Sequence, residues 1–219
     1  MSGFSPSWIP YGPSAILYRF PEDHERLLNI AAALEERAPA DVMEYIPGLS
    51  TLLLIFATSP DFSLEERADS MLAWMDKVIS TPAPKPALHE IPVIYNGPDL
   101  ASLATHHGLS IDEVVAFHSG PIYRVQMLGF SPGFPYLGPL DSRLHTPRLP
   151  SPRNRVASGS VAIGGPHTGI YTVETAGGWH ILGHTKIKIF DPDRSSPHHE
   201  KDMFLLLPGD QVRFLPSHE

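Results

Sequence analysis

Residues 158–190 read SGSVAIGGPHTGIYTVETAGGWHILGHTKIKIF. Short apolar runs alternate there with glycines: Ser160–Ile163, Ile170–Val173, Trp179–Leu182 and Lys186–Phe190, with one more at Gln211–Leu215. Each run is short for a helix and long enough for a strand, and the glycines between them are turn residues. Residues 129–183 hold ten of the 17 glycines, and residues 129–152 hold six of the 24 prolines. A proline inside a helix costs about 3 kcal/mol. No helix pattern survives from Tyr123 onward, and the stretch predicts a β-barrel or sandwich of short strands.

The upstream sequence is organised differently. Two windows without proline, between Pro21 and Pro39 and between Pro60 and Pro82, carry helical spacing. In the first, Leu27, Ile30, Ala31 and Leu34 fall on one face. The second opens at Ser63 with Glu66 three residues on, a capping box, and continues with Leu64, Ala68, Met71, Leu72, Met75 and Val78 on one side. These methionines and Trp74 read as packing. Strand-like runs at Ala15–Phe20, Val42–Ile46 and Thr51–Ala57 complete a β-α-β-β-α order, with a further strand to close it. The pattern is that of a ferredoxin-like α/β domain. The segment TPAPKPA at 81–87 reads as a stiff linker and sets the boundary between domains 1–85 and 86–219. Past it come a strand at Ile91–Tyr95, a helix over Asp99–His106 ended by Gly108, and a second helix opened by the capping box Ser110 with Glu113. The fold class expected is α+β.

Composition narrows the chemistry. The 219 residues include no cysteine, which removes disulfides, thiolate metal sites and cysteine nucleophiles. A net charge of −8 and no basic patch argue against nucleic acid. No apolar run approaches the roughly 20 residues of a membrane span, and MSGFSPSWIP lacks the form of a secretion signal. A cytoplasmic protein is expected.

Several motifs invite a function. Gly129-Phe130-Ser131-Pro132-Gly133 matches the nucleophile elbow G-x-S-x-G, but Pro132 has no N–H to donate to an oxyanion hole. The segment Phe134–Gly138 after it reads as a turn, not a helix. Gly164-Gly165-Pro166-His167-Thr168-Gly169 lacks the Lys-Ser/Thr of a phosphate loop. No metal-ligand spacing occurs among the 12 histidines, so no metal is expected. The pairs His106-His107 and His198-His199 read as solvated, while His180 and His184 flank a glycine-rich strand end and are open to a structural or a functional role. Arg148, Arg153 and Arg155 lie in a proline-stiffened loop that suits a carboxylate clamp. Glu174 sits at a strand end beside glycines, as a general acid or base or as a turn anchor.

With these residues laid out, the chain resembles the family variously called KipI, allophanate hydrolase subunit 1 or PxpB, the B subunit of 5-oxoprolinase. The segments that carry the resemblance are RVQMLGFSPGFPYLG (124–138), TPRLPSPRNRVASGSVAIGG (146–165), TGIYTVETAGGWHILGHT (168–185), FDPDR and LLPGDQVRF, with looser agreement at YGPSAILYRF and PGLSTLLLIF. The resemblance implies an N-terminal α/β domain and a C-terminal cyclophilin-like β-barrel domain. It implies one component of an ATP-dependent 5-oxoprolinase that opens 5-oxoproline to glutamate. Its partners there would be a homologous C subunit (PxpC, also called allophanate hydrolase subunit 2) and an A subunit, and the chain would be inactive alone. The resemblance does not say where in that complex ATP binds. The family also implies two other readings, an inhibitor of a sporulation histidine kinase and a carboxyltransferase-type component of a urea carboxylase system. His167 stands where the family often has Gln, His184 where Arg is frequent, and Gly12-Pro13 where Gly-Asp is expected. The candidate assignments are then as follows. Arg148 and Arg153 take substrate or phosphate charge. Glu174 and His184 handle protons. Gly164, Gly165, Gly177 and Gly178 allow close backbone approach. Tyr171 and Trp179 wall the pocket, and His167 joins the substrate-binding set.

Overall fold

The computed structural model describes residues 6–21, 23–58, 63–79, 85–194 and 200–218. Two compact units divide it, Met1–Lys85 and Pro86–Glu219. Most of the expected linker, residues 81–84, lies outside the described residues, as does His198-His199.

In the first unit the elements are β1 (Ser7–Pro10), β2 (Ala15–Arg19), α1 (His24–Arg37), β3 (Val42–Pro47), β4 (Thr51–Phe56) and α2 (Leu64–Ile79). Asp23 caps α1 by accepting from the Arg26 N–H, and Ser63 opens α2 by accepting from the Glu66 N–H at 3.4 Å. Alternation in β4 buries Leu52, Leu54 and Phe56, which meet Leu27, Ile30 and Leu34 of α1 and Met71 and Met75 of α2 in one core. All pairings are antiparallel in the order β1-β2-β4-β3. The further strand that completes the sheet is β1, which precedes the first helix.

The second unit contains β5 (Leu88–Val93), α3 (Leu100–His107), α4 (Ile111–Ser119), β6 (Ile122–Leu128), β7 (Pro135–Gly138), β8 (Arg153–Val156), β9 (Ser160–Gly164), β10 (His167–Ile170), β11 (Thr175–Gly177), β12 (His180–His184) and β13 (Gln211–Pro216). Seven of the strands form a curled sheet in the order β12-β9-β10-β7-β6-β13-β5, and β8 pairs with β11 in a separate ribbon. The α+β class is therefore as expected, with four corrections of detail. Phe134–Gly138 is not a turn, because Pro135–Gly138 pairs with β6 and β10. Arg153 and Arg155 stand on a strand rather than in a loop. Lys186–Phe190 is not a strand, and Phe190 makes a single bridge to Phe204. The expected strand Ile170–Val173 is displaced toward the N-terminus, since the turn at Gly165 starts β10 at His167.

The sheet closes on itself where β5 runs out. Ile94 and His184 form an antiparallel bridge, with N–H to O distances of 2.9 and 3.0 Å. Gly97 and Asp99 continue the seam by donating their N–H groups to Leu182 and Ile181. Side chains cannot fit there: a Cβ on Gly183 would collide with the Ile94 carbonyl, and one on Gly97 with the Ile181 carbonyl. Inside, Val93, Val125, Leu137, Val161, Ile163, Leu182 and Phe214 form the core.

One histidine belongs to that interior. His118 of α4 is fully buried and stacked on Phe214. Thr168 donates its hydroxyl to the Ala162 carbonyl, so it accepts from His118 Nε2 at 2.7 Å. His118 Nδ1 then accepts from the Tyr95 hydroxyl at 2.7 Å. Burial pushes the imidazole down to about 3.

Packing at these places sets two expected outcomes. Gly183→Ala and Gly97→Ala should each cost at least about 2–3 kcal/mol in urea unfolding, because the seam must part to admit a methyl group. For His118 the folded value lies below the unfolded one of about 6.5, so stability is complete above pH 6.5 and falls as the unfolded chain takes the proton. The slope attributable to this group should be about 1.4 kcal/mol per pH unit between pH 6 and 4. Comparing the pH profiles of native protein and His118→Gln measures it, and identical slopes would refute it.

Candidate functional site

The mouth of the second unit is built on an aromatic cluster. Phe134 touches four rings edge-on: Phe130 at 5.4 Å between centroids, and Tyr136, Tyr171 and Trp179 at 5.3 Å each. Edge-to-face geometry aligns the positive ring edge with the negative face of its neighbour. Two glycines make room for these rings. A Cβ on Gly164 would lie 2.8 Å from the Trp179 ring, and one on Gly177 would overlap the Tyr171 hydroxyl. Between the rings and the 148–152 segment is a cavity of about 280 Å³, lined by Phe130, Phe134, Tyr136, Arg148, Leu149, Pro152, Tyr171, Ala176, Gly177, Gly178 and Trp179.

The arginines divide. The Arg148 guanidinium lies over the Trp179 ring at 5.6 Å and forms no ion pair with any described residue. It is the cationic group of the cavity. Arg153 is engaged: Nη2 pairs with Asp99 and Nη1 donates to the Trp179 carbonyl at 3.2 Å. The second Asp99 oxygen accepts from the Ile181 N–H at 2.7 Å. Arg155 pairs with Glu174 at 2.7 Å, both side chains exposed. The Tyr171 hydroxyl is pushed up by burial, opposed by a bond with the Trp179 backbone and by the charges of Arg148 and Arg153.

Of the residues singled out from sequence, the cavity brings together Arg148, Tyr171, Gly177, Gly178 and Trp179. Arg153, Glu174, Gly164, Gly165, His167 and His184 do not line it. Gly164 seats the Trp179 ring, and Gly165 turns the chain at φ 59°. The His167 ring stands edge-on to Tyr136 at 6.0 Å. His184 is the last residue of β12, at the end away from Trp179, and its Nδ1 donates to Asn96 Oδ1 at 3.0 Å. Ser131 is paired with Thr172 rather than with a histidine base. His107, expected to be solvated, is half-buried against Thr146. Among the described residues no three His, Asp or Glu side chains converge as a metal site. No described helix is long and apolar enough to cross a membrane.

Phe130 escaped the sequence reading. It lines the cavity, is 60% exposed, and holds φ at +72°, the single non-glycine positive φ among the described residues. Such a conformation costs of order 1–3 kcal/mol and concentrates at functional sites. The signal available was its place between Gly129 and the Ser131-Pro132-Gly133 turn.

Comparison with known proteins adds to this geometry. The family model of the carboxyltransferase domain, subdomains C and D, matches residues 6–199. The B subunit of 5-oxoprolinase from Escherichia coli O157:H7 is 44% identical over 182 residues, 82% of this chain and 80% of that protein. Its namesake in Haemophilus influenzae is 36% identical over 216 residues, 94% of this chain and 96% of that protein. Among solved structures, the conserved protein PH0987 of Pyrococcus horikoshii has 37% identity and a TM-score of 0.56, covering 97% of this chain and 98% of its own. TTHA0988 has 36% identity and a TM-score of 0.78, and here the chain spans 40% of the longer protein.

Arg153→Gln should destabilise the second unit by about 2–4 kcal/mol in urea unfolding, since it strands the Asp99 carboxylate, whose residue is 8% exposed. Glu174→Gln should change stability by less than about 0.5 kcal/mol, because the pair it breaks is solvated.

Proposed function

The chain belongs to the family of the carboxyltransferase domain, subdomains C and D, and from that premise we propose that it is the B subunit of a 5-oxoprolinase. In this reading residues 1–85 and 86–219 are separate domains, the second carrying the site. The complex uses ATP and includes a homologous C subunit and an A subunit. Likeness along most of the chain to proteins named as the B subunit of that enzyme supports the assignment. The observation that supports the site is the Arg148 guanidinium over Trp179, with no counter-ion among the described residues, at the edge of an aromatic cavity.

A five-membered lactam bearing a carboxylate presents two apolar faces and one anionic group. The rings of Phe130, Tyr136 and Trp179 take the faces, and Arg148 takes the carboxylate in a charge-assisted pair. A lactam resists water because its nitrogen lone pair is shared with the carbonyl. Transfer of a phosphoryl group from ATP to the lactam oxygen, releasing ADP, would make the ring carbon electrophilic; water would add to it, the ring C–N bond would break with a proton passing to nitrogen, and a second water would hydrolyse the acyl phosphate to glutamate and phosphate. Arg153 acts as a positioning residue, holding the Trp179 backbone. Since Glu174 and His184 lie outside the cavity lining, the proton steps there fall to the partner proteins or to Tyr171.

Reconstitution with the A and C subunits tests the assignment, with glutamate measured from 5-oxoproline and ATP. Turnover should require all three proteins. Arg148→Ala should raise KM for 5-oxoproline at least tenfold, the equivalent of about 1.4 kcal/mol. Unchanged KM in both Arg148→Ala and Trp179→Ala would remove this cavity as the substrate site, and no turnover with the native trio would remove the assignment itself.

A further inference from the structure

Between α3 and the 146–150 segment lies a second hollow of about 360 Å³. Leu103 of α3 and Pro147, Leu149 and Pro150 give it apolar walls, while Ser102, His106, His180 and Arg148 supply its polar groups. Arg148 lines both hollows. Among the described residues no acidic side chain lines this one. A guanidinium and two imidazoles therefore share an apolar recess with no carboxylate, an arrangement whose missing counterpart is an anion.

The imidazole hydrogen bonds sharpen this. The Pro147 carbonyl can only accept, so His180 Nε2 donates to it at 2.9 Å and leaves Nδ1 as the site for a further proton. Thr146 donates its hydroxyl to the Leu144 carbonyl at 2.9 Å, so His107 Nε2 donates to the threonine oxygen at 2.7 Å. His107 also stands edge-on to His106 at 4.8 Å. The titratable and charged groups lining the recess are thus His106 on α3, His180 at the start of β12 and Arg148 in the segment between, with His107 beside them on Thr146. Burial and the neighbouring His106 and His180 hold the His107 proton affinity down. An anion bound beside imidazoles favours their protonated forms by simple charge attraction, so anion and proton bind together.

We infer that the recess between α3 and residues 146–150 is a second binding site, for a small organic anion with an apolar body, held by Arg148, His106 and His180. The recess shares Arg148 with the aromatic cavity, so ligands of the two compete for one guanidinium, while His106 and His180 line this recess alone and its binding does not require the 5-oxoproline reading. A reconstituted complex without oxoprolinase activity would leave this binding intact.

Titration calorimetry of the full chain with benzoate tests it, because benzoate keeps its charge between pH 6 and 8. Binding should tighten about tenfold from pH 8 to pH 6, with net proton uptake read by repeating the titration in buffers of different ionisation enthalpy. The double variant His106→Gln, His180→Gln should lose that pH dependence and weaken binding, with an unchanged thermal melt as the control for folding. Phe130→Ala, in the other cavity, should leave benzoate affinity unchanged. Sulfate should bind at least tenfold more weakly than benzoate, because it cannot use the apolar walls. Benzoate binding that is pH-independent, or insensitive to the double histidine variant, would overturn the proposal. So would loss in Phe130→Ala, which would place the ligand among the aromatic rings.

Discussion

Asp99 heads α3, yet its carboxylate does not cap that helix. One oxygen pairs with Arg153 Nη2 and the other accepts the Ile181 N–H, while Arg153 Nη1 reaches the Trp179 carbonyl. Three pieces of chain far apart in sequence meet at this one group: the start of α3, the β8–β11 ribbon and the strand β12. A carboxylate so enclosed is tolerable only when paired and hydrogen-bonded. Its partners in turn place Trp179, the ring that walls the aromatic cavity and lies beneath Arg148. The seam from Ile94 to Asp99 depends on the same pairing, because its last bond is the Asp99 N–H to the Ile181 carbonyl.

Arginines of one short segment have different fates for a geometric reason. Arg153 lies on β8, opposite Gly177 of β11, where its side chain meets Asp99. Arg155, two residues on, meets Glu174 in solvent. Arg148 precedes the ribbon, in the segment dividing two hollows, and keeps its charge uncompensated by any described residue. One arginine is thus paired inside the fold, one is paired in solvent and one is left unpaired by the described residues, all within eight positions of chain.

Elements with local causes were legible in advance. The helical stripe at Leu27, Ile30, Ala31 and Leu34 and the capping box at Ser110 and Glu113 need neighbours only three or four residues away. The strands β7, β8 and β11 were not legible. Pro135, Pro152 and Gly177-Gly178 look like breakers, and these strands form only because partners elsewhere in the chain accept their hydrogen bonds. Lys186–Phe190 erred the other way, since its alternating pattern has the strand period but finds a single bridge among the described residues. In the site, Tyr171 and Trp179 were expected as walls and line the cavity. Phe130 was missed because its exposure and positive φ are properties of a turn closed by tertiary packing.

By itself the sequence determined the α+β class, the exclusion of thiol chemistry and of a serine elbow, and the family resemblance, because each rests on residue identity and short-range order. Proline and glycine spacing located the strand-rich half on the same basis. The tertiary structure decided which arginine is held by Asp99 and which faces the cavities, and how the barrel seam closes through Gly97 and Gly183. It also decided that Glu174 and His184 stand outside the cavity lining. Those outcomes depend on where distant segments meet, and a hydrogen bond between residues 54 positions apart, such as Arg153 to Asp99, has no signature in either neighbourhood.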